Sequence, residues 1–489
     1  MEVKSAISYS CIGCGTSSLS AEPGQLRCRQ CSRSYPIVDD IPILTLRPHA
    51  LLSATVQELR ASETNIHNLS AFLADKASTD SLYARMRSRG EDALSGMRAN
   101  LALTKAHMKS VELLTGTTTR ELNFLDRLSN CGAAWPVDVM LQYFHQDWTP
   151  TDDFDRVKRT IVSALTRHGQ NAGPIAVLGA GACGMVHAVS TEFERVCGID
   201  LCVPMLLIAR DVMRGNSITV HVERADWRAI ELRRRQAATD NIQLAVADAS
   251  SLPFPDNSLA AVVTQFLLDI VGNPARVASE IRRTLRPGGV WVNFSPPMKA
   301  PFPQLGGLAP EELSTFLEIA GFDVLESRYE RSACVDLGTL SDTAPNILFL
   351  VQFFTARKTS NPVGIHAGQG RNVLASDDEA WWQGVPAVVV GRNIKIASVE
   401  NFAANRQSRS AEMAFGFIYG VAPPSVLEEQ DTAQLKTVLV LMDGKRTFTE
   451  IFLHVAKQAN TISRSDFREL VHHLSDRLGL LEVASSVPV

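Results

Sequence analysis

The chain has 489 residues, a formal charge of −4 and a pI near 6.3, with 45% hydrophobic and 20% charged residues. That length suits about two to four domains, and the charge balance excludes a bulk electrostatic case for nucleic acid or an anionic membrane. No apolar run reaches the roughly 18 residues of a transmembrane helix. The N-terminal MEVKSAISYSCIGCG lacks the apolar core of a signal peptide. Nine cysteines, an odd number, without an export signal point to a reducing cytoplasm rather than a disulfide framework.

Cys11 and Cys14 form one C-x-x-C pair, and Cys28 and Cys31 form a second, with thirteen residues between the pairs. Thiolates at this spacing close a tetrahedral shell with no position left for water, so the implied ion is a structural Zn2+. A redox motif needs a single pair beside a βαβ pattern, which neither pair has. The stretch SYPIVDDIPIL, Ser34 to Leu44, follows. Together these residues resemble zinc-ribbon domains related to the small activator subunit of tRNA methyltransferases. The resemblance implies a β-rich module over residues 1–48 packed on a methyltransferase domain, without implying RNA as substrate.

Residues 49–135 carry apolar residues at three- and four-residue spacing, punctuated by Gly90, Gly96, Gly116 and Gly132, and read as roughly three to five helices. They form either a collar joining ribbon to core or a lid over the substrate. Pro136 to Arg159 gathers Tyr143, His145, Asp147 and Trp148 in a short span, as a pocket wall or as an aromatic hinge. Thr149 or Thr151 caps a helix starting near Asp152, with acids in its first turn as the helix dipole prefers.

The central signal is IAVLGAGACGMVHAVSTEFERVCGID, Ile175 to Asp200. A short buried strand runs into Gly179, Gly181 and Gly184, a helix pattern covers Met185 to about Arg195, and a second strand ends on Asp200. This is the layout of a nucleotide-binding βαβ unit, in which glycines admit backbone close to the ligand. By itself it fits a dinucleotide or S-adenosylmethionine equally. Pro204 to Met213 reads as a helix. Residues 216–240 are strongly charged and read as a solvated face or loop, or as a patch for an acidic substrate. Ile242 to Ala247 forms a strand ending at Asp248, Pro253-Phe254-Pro255 a rigid loop, and Leu259 to Gln265 another strand. Ala275 to Leu285 forms a helix, Arg286-Pro287-Gly288-Gly289 stops it, and Val290 to Phe294 forms the next strand.

VLGAGACG, Asp200, ADASSLPFPDNSLAAVV and LRPGGVWVNF, in this order, resemble a class I S-adenosylmethionine-dependent methyltransferase. The resemblance implies a doubly wound α/β sheet over residues 136–358. It places Gly179, Ala180, Gly181 and Gly184 beside the methionine and ribose of the cofactor, Asp200 with Leu201 at the ribose hydroxyls, and Asp248 and Ala249 at the adenine. Gln265 and Arg156 complete the cofactor set, Arg156 as the partner of the methionine carboxylate. YFHQDW, QFLLDIVGN and WVNFSPPMK narrow the resemblance to the carnosine N-methyltransferase type, though Pro297-Met298-Lys299 stands where members carry a histidine. The implied catalytic residues are Asp269, Asn293, Tyr143 and His145. Asp269 either orients an N–H and takes a proton or serves as a helix cap, and Asn293 either holds substrate or caps a strand end. Cys183 reads as a small filler.

Thr359 to Asp377 reads as a linker, and residues 378–489 as short strands around Trp381 to Val399 followed by helices and a last strand. Asp443-Gly444, the capping box of Thr447 with Glu450 and the final LLEV resemble the winged-helix, leader-recognition modules of the PqqD type. From Asp431 onward seven Lys or Arg stand against seven Asp or Glu, so the footprint of phosphate-backbone binding is missing. A peptide partner or a homodimer contact is expected there. The whole reads as an α/β Rossmann-like class I methyltransferase sheet with an N-terminal zinc ribbon, a helical connector and a C-terminal winged-helix-like domain. The expected activity is cytoplasmic, S-adenosylmethionine-dependent N-methylation of a peptide or peptide-like small molecule. The alternatives are a cofactor-binding scaffold without turnover and an RNA methyltransferase.

Overall fold

The computed structural model describes residues 7–75, 81–116, 126, 135–149, 152–169, 173–222, 228–234, 240–298, 308–333, 348–360, 385–388, 438, 441–442, 446–459, 462–474 and 481–484. Strands β1 (Leu19–Glu22), β2 (Gln25–Cys28), β3 (Ser34–Val38) and β4 (Ile41–Leu44) form successive antiparallel hairpins. Asp39 and Asp40 both hold positive φ, 46° and 70°, as a two-residue turn that follows strand twist demands. Helices α1 (Pro48–Asp75), α2 (Ser81–His107) and α3 (Lys109–Thr115) follow, then α4 (Val137–Trp148) and α5 (Asp152–His168). In α5, Asp152, Asp153 and Asp155 sit in the first turn and Arg167 and His168 in the last, each at the dipole end it favours. Its buried stripe, Phe154, Val157, Ile161, Ala164 and Leu165, has helical period.

The doubly wound part comprises β5 (Ile175–Leu178), α6 (Gly184–Ser190), β6 (Val196–Asp200), α7 (Val203–Met213), β7 (Ile218–Val222), β8 (Arg228–Leu232), β9 (Ile242–Ala247), β10 (Leu259–Gln265), α8 (Pro274–Thr284), β11 (Leu285–Ser295), α9 (Pro310–Ile319), β12 (Phe322–Ala333) and β13 (Leu348–Lys358). An eleven-stranded sheet runs β1-β2-β3-β4-β9-β6-β5-β10-β11-β13-β12. From β4 to β11 neighbours are parallel, and β13 and β12 return antiparallel. Every residue of β5 is buried, as a strand covered by helices on both faces must be. The order reverses between β5 and β10, which opens a crevice at their carboxyl ends, where such sheets bind ligands.

The ribbon is part of this sheet. β4 pairs parallel with β9 through Ile43 with Val246 and Leu44 with Ala247. Two further contacts fasten it: the Ser10 N–H donates to the Pro253 carbonyl at 2.9 Å, and the Ile7 N–H to Gln243 Oε1 at 2.6 Å.

Three local expectations change. Residues 218–232, expected as loop or solvated face, contain the antiparallel pair β7–β8. Ile218, Val220 and Val222 alternate inward and are buried, and the charges around them mask that period. Asn100 of α2 holds this pair, donating to the His221 carbonyl at 2.7 Å and accepting its N–H at 2.8 Å. Helix α6 ends at Ser190, short of Arg195, where the Ser190 and Thr191 hydroxyls take the carbonyls of His187 and Ala188, an alternative to helical pairing. Strand β11 begins at Leu285, and Gly288 at φ +72° lies in a register shift of the strand rather than in a stop, a bulge that glycine tolerates.

In the C-terminal third, β14 (Val385–Val388) pairs antiparallel with β15 (Leu481–Ala484), and α10 (Phe448–Ala459) and α11 (Arg464–His472) stand between them in sequence. The Thr447–Glu450 capping box forms, with the Thr447 N–H donating to Glu450 Oε2 at 2.8 Å. Asp443-Gly444, Gly132, Thr151, Lys299, most of the 359–377 linker and residues 389–437 lie outside the described residues. No helix among the described residues is long and apolar enough to cross a membrane.

Arg47, just before α1, ties α11 to the ribbon. Its guanidinium meets Asp126 at 2.8 Å, Asp466 at 2.7 Å and Glu469 at 2.5 Å. Burial raises the Asp466 carboxyl, but the Ser463 hydroxyl and Arg47 outweigh it and hold Asp466 below its ordinary value. A lowered carboxyl stabilises above its unfolded value and loses that contribution as pH falls through the folded one. The docking of α11 is therefore expected to hold above about pH 4 and weaken below it. Arg47→Ala, which removes the cation shared by Asp466, Glu469 and the buried Asp126, is expected to cost about 3–5 kcal/mol. Denaturant titration reads that loss, and limited proteolysis against pH reads the release of α11.

Candidate active site

The loop after β5 has three left-handed residues, Gly179 at φ +66°, Gly181 at +52° and Cys183 at +65°. A Cβ on Gly179 would stand 3.2 Å from Leu267, so the loop and the turn after β10 are in close contact. Asp200 closes β6 onto the loop: Oδ2 accepts the Gly181 N–H and Oδ1 the Cys202 N–H, both at 2.8 Å. Burial pushes the Asp200 carboxyl above its ordinary value, against the N–H groups of Cys202, Gly181 and Leu201. A carboxylate so placed, beside glycines without side chains, fits the two hydroxyls of a ribose. Ala180 N–H donates to the Ile199 carbonyl at 3.0 Å, which fixes the loop against the same strand end.

The end of α4 reaches the loop from the other side. Asp147 Oδ2 accepts the Gly184 N–H at 2.8 Å, and the Trp148 indole donates to the Ala182 carbonyl at 2.8 Å. Gly184 permits this approach, because a Cβ there would lie 2.6 Å from the Asp147 Cβ. Trp148 stacks on His187 with centroids 5.5 Å apart. Tyr143 meets Trp135 edge-on at 6.0 Å, and His145 Nδ1 bonds the Thr149 hydroxyl at 2.8 Å. Thr149 thus closes the end of α4, its N–H donating to the His145 carbonyl, rather than capping α5. The contacts of Asp147 and Trp148 with the loop are ones that sequence reasoning missed. Their only signal was their adjacency in YFHQDW.

On the far side of the crevice, Asp248 Oδ1 accepts the Ser250 N–H at 2.8 Å and its hydroxyl at 2.7 Å, and Ala249 beside it is nearly buried. Gln265 ends β10, and Phe266 follows at φ +48°. The Phe266 ring meets Phe294 at 6.1 Å and Phe349 at 6.5 Å, both edge-on. Asp269 lies in the next turn, closed by the Ile270 and Val271 N–H groups on the Leu267 carbonyl.

Two expected site residues are engaged elsewhere. Asn293 is 1% exposed; it accepts from the Thr264 hydroxyl and donates to the Gln352 carbonyl, both at 2.8 Å. It crosslinks β10, β11 and β13 inside the sheet, so its amide has no reach to a substrate. Arg156 pairs with Asp153 at 2.9 Å and with Glu330, and donates to the Arg331 carbonyl. This ties α5 to β12 and takes the guanidinium away from a methionine carboxylate.

The cysteine cluster forms at the ribbon tip. Cys11 and Cys31 sulfurs lie 3.5 Å apart and those of Cys14 and Cys28 3.6 Å apart, and the ligand atoms of the set lie within 4.8 Å of one another. A tetrahedral ion with bonds of about 2.3 Å to sulfur needs edges of about 3.8 Å, so the set fits such an ion. Each knuckle turns through a positive φ, at Gly15 and Ser32. The Tyr35 hydroxyl lies 3.0 Å from the Cys11 sulfur and accepts the Gly13 N–H, an outer contact of the kind that orients ligands.

His187 is 5% exposed, and neither ring nitrogen has a hydrogen-bond partner among the described residues. Burial first, then Arg234 and Lys158, lower its pKa to about 4. The unfolded chain takes up this proton near pH 6.5, so stability falls progressively as pH drops from there toward 4. His187→Phe keeps a ring against Trp148, and its unfolding temperature is expected to decline less than that of the wild type between pH 6.5 and 4.5.

Residues 177–292 match a family model described as a methyltransferase domain. The demethylmenaquinone methyltransferase of Clavibacter sepedonicus is 34% identical in an alignment of 144 positions that covers 22% of this chain and 59% of that protein. That of Thermus thermophilus is 31% identical in an alignment of 169 positions that covers 28% of this chain and 66% of its own length. Among solved structures, the YcgJ protein of Bacillus subtilis overlays 42% of this chain and 100% of its own at 12% identity and a TM-score of 0.31. A methyltransferase of Methanosarcina mazei overlays 40% of this chain and 97% of its own at 19% identity and a TM-score of 0.30. The chain spans less than two thirds of those curated relatives' length. Residues 177–292 thus resemble a methyltransferase domain, set in a doubly wound, Rossmann-like α/β sheet with a cysteine cluster on a ribbon joined to it.

Proposed function

We propose that the chain is an S-adenosylmethionine-dependent methyltransferase. The single observation that carries this is Asp200, which closes the end of β6 onto the glycine loop at the point where strand order reverses. When bound, S-adenosylmethionine would supply an electrophilic methyl on sulfur. Gly179, Ala180, Gly181 and Gly184 would admit its methionine and ribose, Asp200 with Leu201 would hold the ribose hydroxyls, and Asp248, Ala249 and Gln265 would line the adenine side. The chain must then hold the acceptor in line with the methyl and exclude water. Asp269 is the candidate to orient the acceptor or take its proton, with Tyr143 and His145 on α4 as further polar groups.

N-methylation of a peptide rests on the resemblance of the core to carnosine N-methyltransferases and of the C-terminal third to leader-recognition modules. The curated relatives of the core are instead named as demethylmenaquinone methyltransferases and ubiquinone/menaquinone C-methyltransferases. Phe266 and Phe349 also give the loop after β10 an aromatic flank. Our first choice of acceptor is therefore an electron-rich ring carbon, with a peptide nitrogen second.

The test is incubation with methyl-labelled cofactor and, in turn, a 1,4-naphthohydroquinone and a panel of short peptides. Carbon-bound label on the ring supports the first acceptor, and nitrogen-bound label on a peptide supports the second. Asp200→Ala is expected to weaken S-adenosylhomocysteine binding at least about ten-fold in calorimetry, as loss of a charged hydrogen-bond acceptor does. Unchanged affinity in this variant would remove the proposal.

The cysteine cluster, we infer, holds a structural Zn2+. Metal analysis of the purified protein should give about one equivalent per chain, as one closed four-thiolate site requires. Cys28→Ser should lose the metal and lower the unfolding midpoint, and a wild-type protein without zinc at full stability would refute the assignment.

A further inference from the structure

We propose that Asp147 and Trp148 are positioning residues that set the backbone of the cofactor loop by fixing the two peptide planes on either side of Cys183. This rests on reading residues 179–184 as the S-adenosylmethionine loop.

Cys183 is the one residue of that loop with a side chain in the left-handed region, at φ +65° and ψ +15°. A β-carbon there crowds the following carbonyl, and such a residue persists only where its surroundings over-determine it. The φ and ψ of Cys183 are the rotations between two peptide planes. One plane contains the Ala182 carbonyl, which the Trp148 indole holds at 2.8 Å. The other contains the Gly184 N–H, which the Asp147 carboxylate holds at 2.8 Å. Consecutive residues of α4 thus grip consecutive peptide groups of the loop, and rotation about Cys183 breaks at least one of the two bonds.

The grip is itself rigid. Trp148 is 3% exposed and backed by the stacked His187 ring. The missing side chain at Gly184 lets the Asp147 carboxylate approach the backbone directly. The opposite side of the loop is held by Asp200 through Gly181. Asp147 and Asp200 both lie close enough to Cys183 to raise its thiol pKa, although burial is the larger cause. Both α4 residues fall before residue 177, outside the segment that matches the methyltransferase domain model, so the clamp reaches the loop from beyond that segment.

Four variants separate this from a merely structural role. Asp147→Ala and Trp148→Phe each remove the bond to the loop, and each should weaken S-adenosylhomocysteine binding about ten-fold in calorimetry. Asp147→Asn keeps an acceptor oxygen at the same reach and should retain most of the affinity. Cys183→Gly takes the left-handed conformation without strain, so adding it to Asp147→Ala should restore binding to within about three-fold of Cys183→Gly alone. Protection of the Gly184 amide in hydrogen exchange, measured without cofactor, should fall in Asp147→Ala and remain in Asp147→Asn. Wild-type affinity in both Asp147→Ala and Trp148→Phe, or no recovery with Cys183→Gly, would overturn the clamp. If the wild type binds no S-adenosylhomocysteine, the cofactor reading fails, and the exchange of Gly184 still decides whether Asp147 holds the loop.

Discussion

The backbone of residues 179–184 is the constraint on which the site depends. Its left-handed residues are Gly179, Gly181 and Cys183, and the loop does not hold this path by itself. Asp200 pins it from β6, Asp147 and Trp148 pin it from α4, and Leu267 packs against Gly179 from the turn after β10. These contacts come from segments far apart in sequence. The glycines make the path sterically permitted, and the tertiary contacts make it the one that is populated. A glycine motif therefore signals the site but does not build it.

The ribbon acts on the same site through the sheet. β4 pairs with Val246 and Ala247, the last two residues of β9, and Asp248 follows immediately. Ser10, next to the first ligand cysteine, donates to the Pro253 carbonyl. The ribbon therefore fastens the 248–253 loop at both ends, while Asp248 closes it internally on Ser250. The pairing also covers the edge that β9 would otherwise expose, and open strand edges invite unwanted pairing. A metal that orders the ribbon tip would thus stabilise the 248–253 side of the crevice through a few backbone hydrogen bonds rather than through direct contact.

Much of the architecture was legible because local pattern and burial agreed. The apolar runs at Ile175–Leu178, Ile242–Ala247 and Leu259–Gln265 form parallel strands, since a strand buried on both faces carries few polar residues to disguise it. The β7–β8 pair is hidden in the sequence because charges flank its alternating Ile218, Val220 and Val222 and obscure their period. Helix α6 was read too long because apolar spacing continues past Ser190, whereas its end is set by hydroxyls that compete for carbonyls. In the site, Asp200 follows from its place at a strand end. The roles of Asp147 and Trp148 do not, because nothing local shows which distant backbone groups a carboxylate and an indole will meet.

Asn293 and Arg156 show the converse limit, and their engagement bears on the acceptor. Both lie in motifs beside the crevice, yet position along a strand or helix gives no information about partners across the sheet. Asn293 completes a buried hydrogen-bond run from the Trp291 indole through Thr264 to Gln352, and a buried amide with both ends satisfied is costly to redirect. Arg156 is held by Asp153 and Glu330, which leaves its charge compensated beside the Phe294 ring, 5.8 Å from its centroid. With these two committed, the site has fewer fixed polar groups for a substrate than its motifs suggest. What flanks the turn after β10 is aromatic, Phe266 against Phe294 and Phe349. An apolar, planar acceptor gains from such a surface through burial and ring contact, whereas a charged or strongly hydrogen-bonding one would leave its polar groups without partners there. On the proposed function, that aromatic flank would favour a ring held by packing, with Asp269 as the candidate to direct the proton.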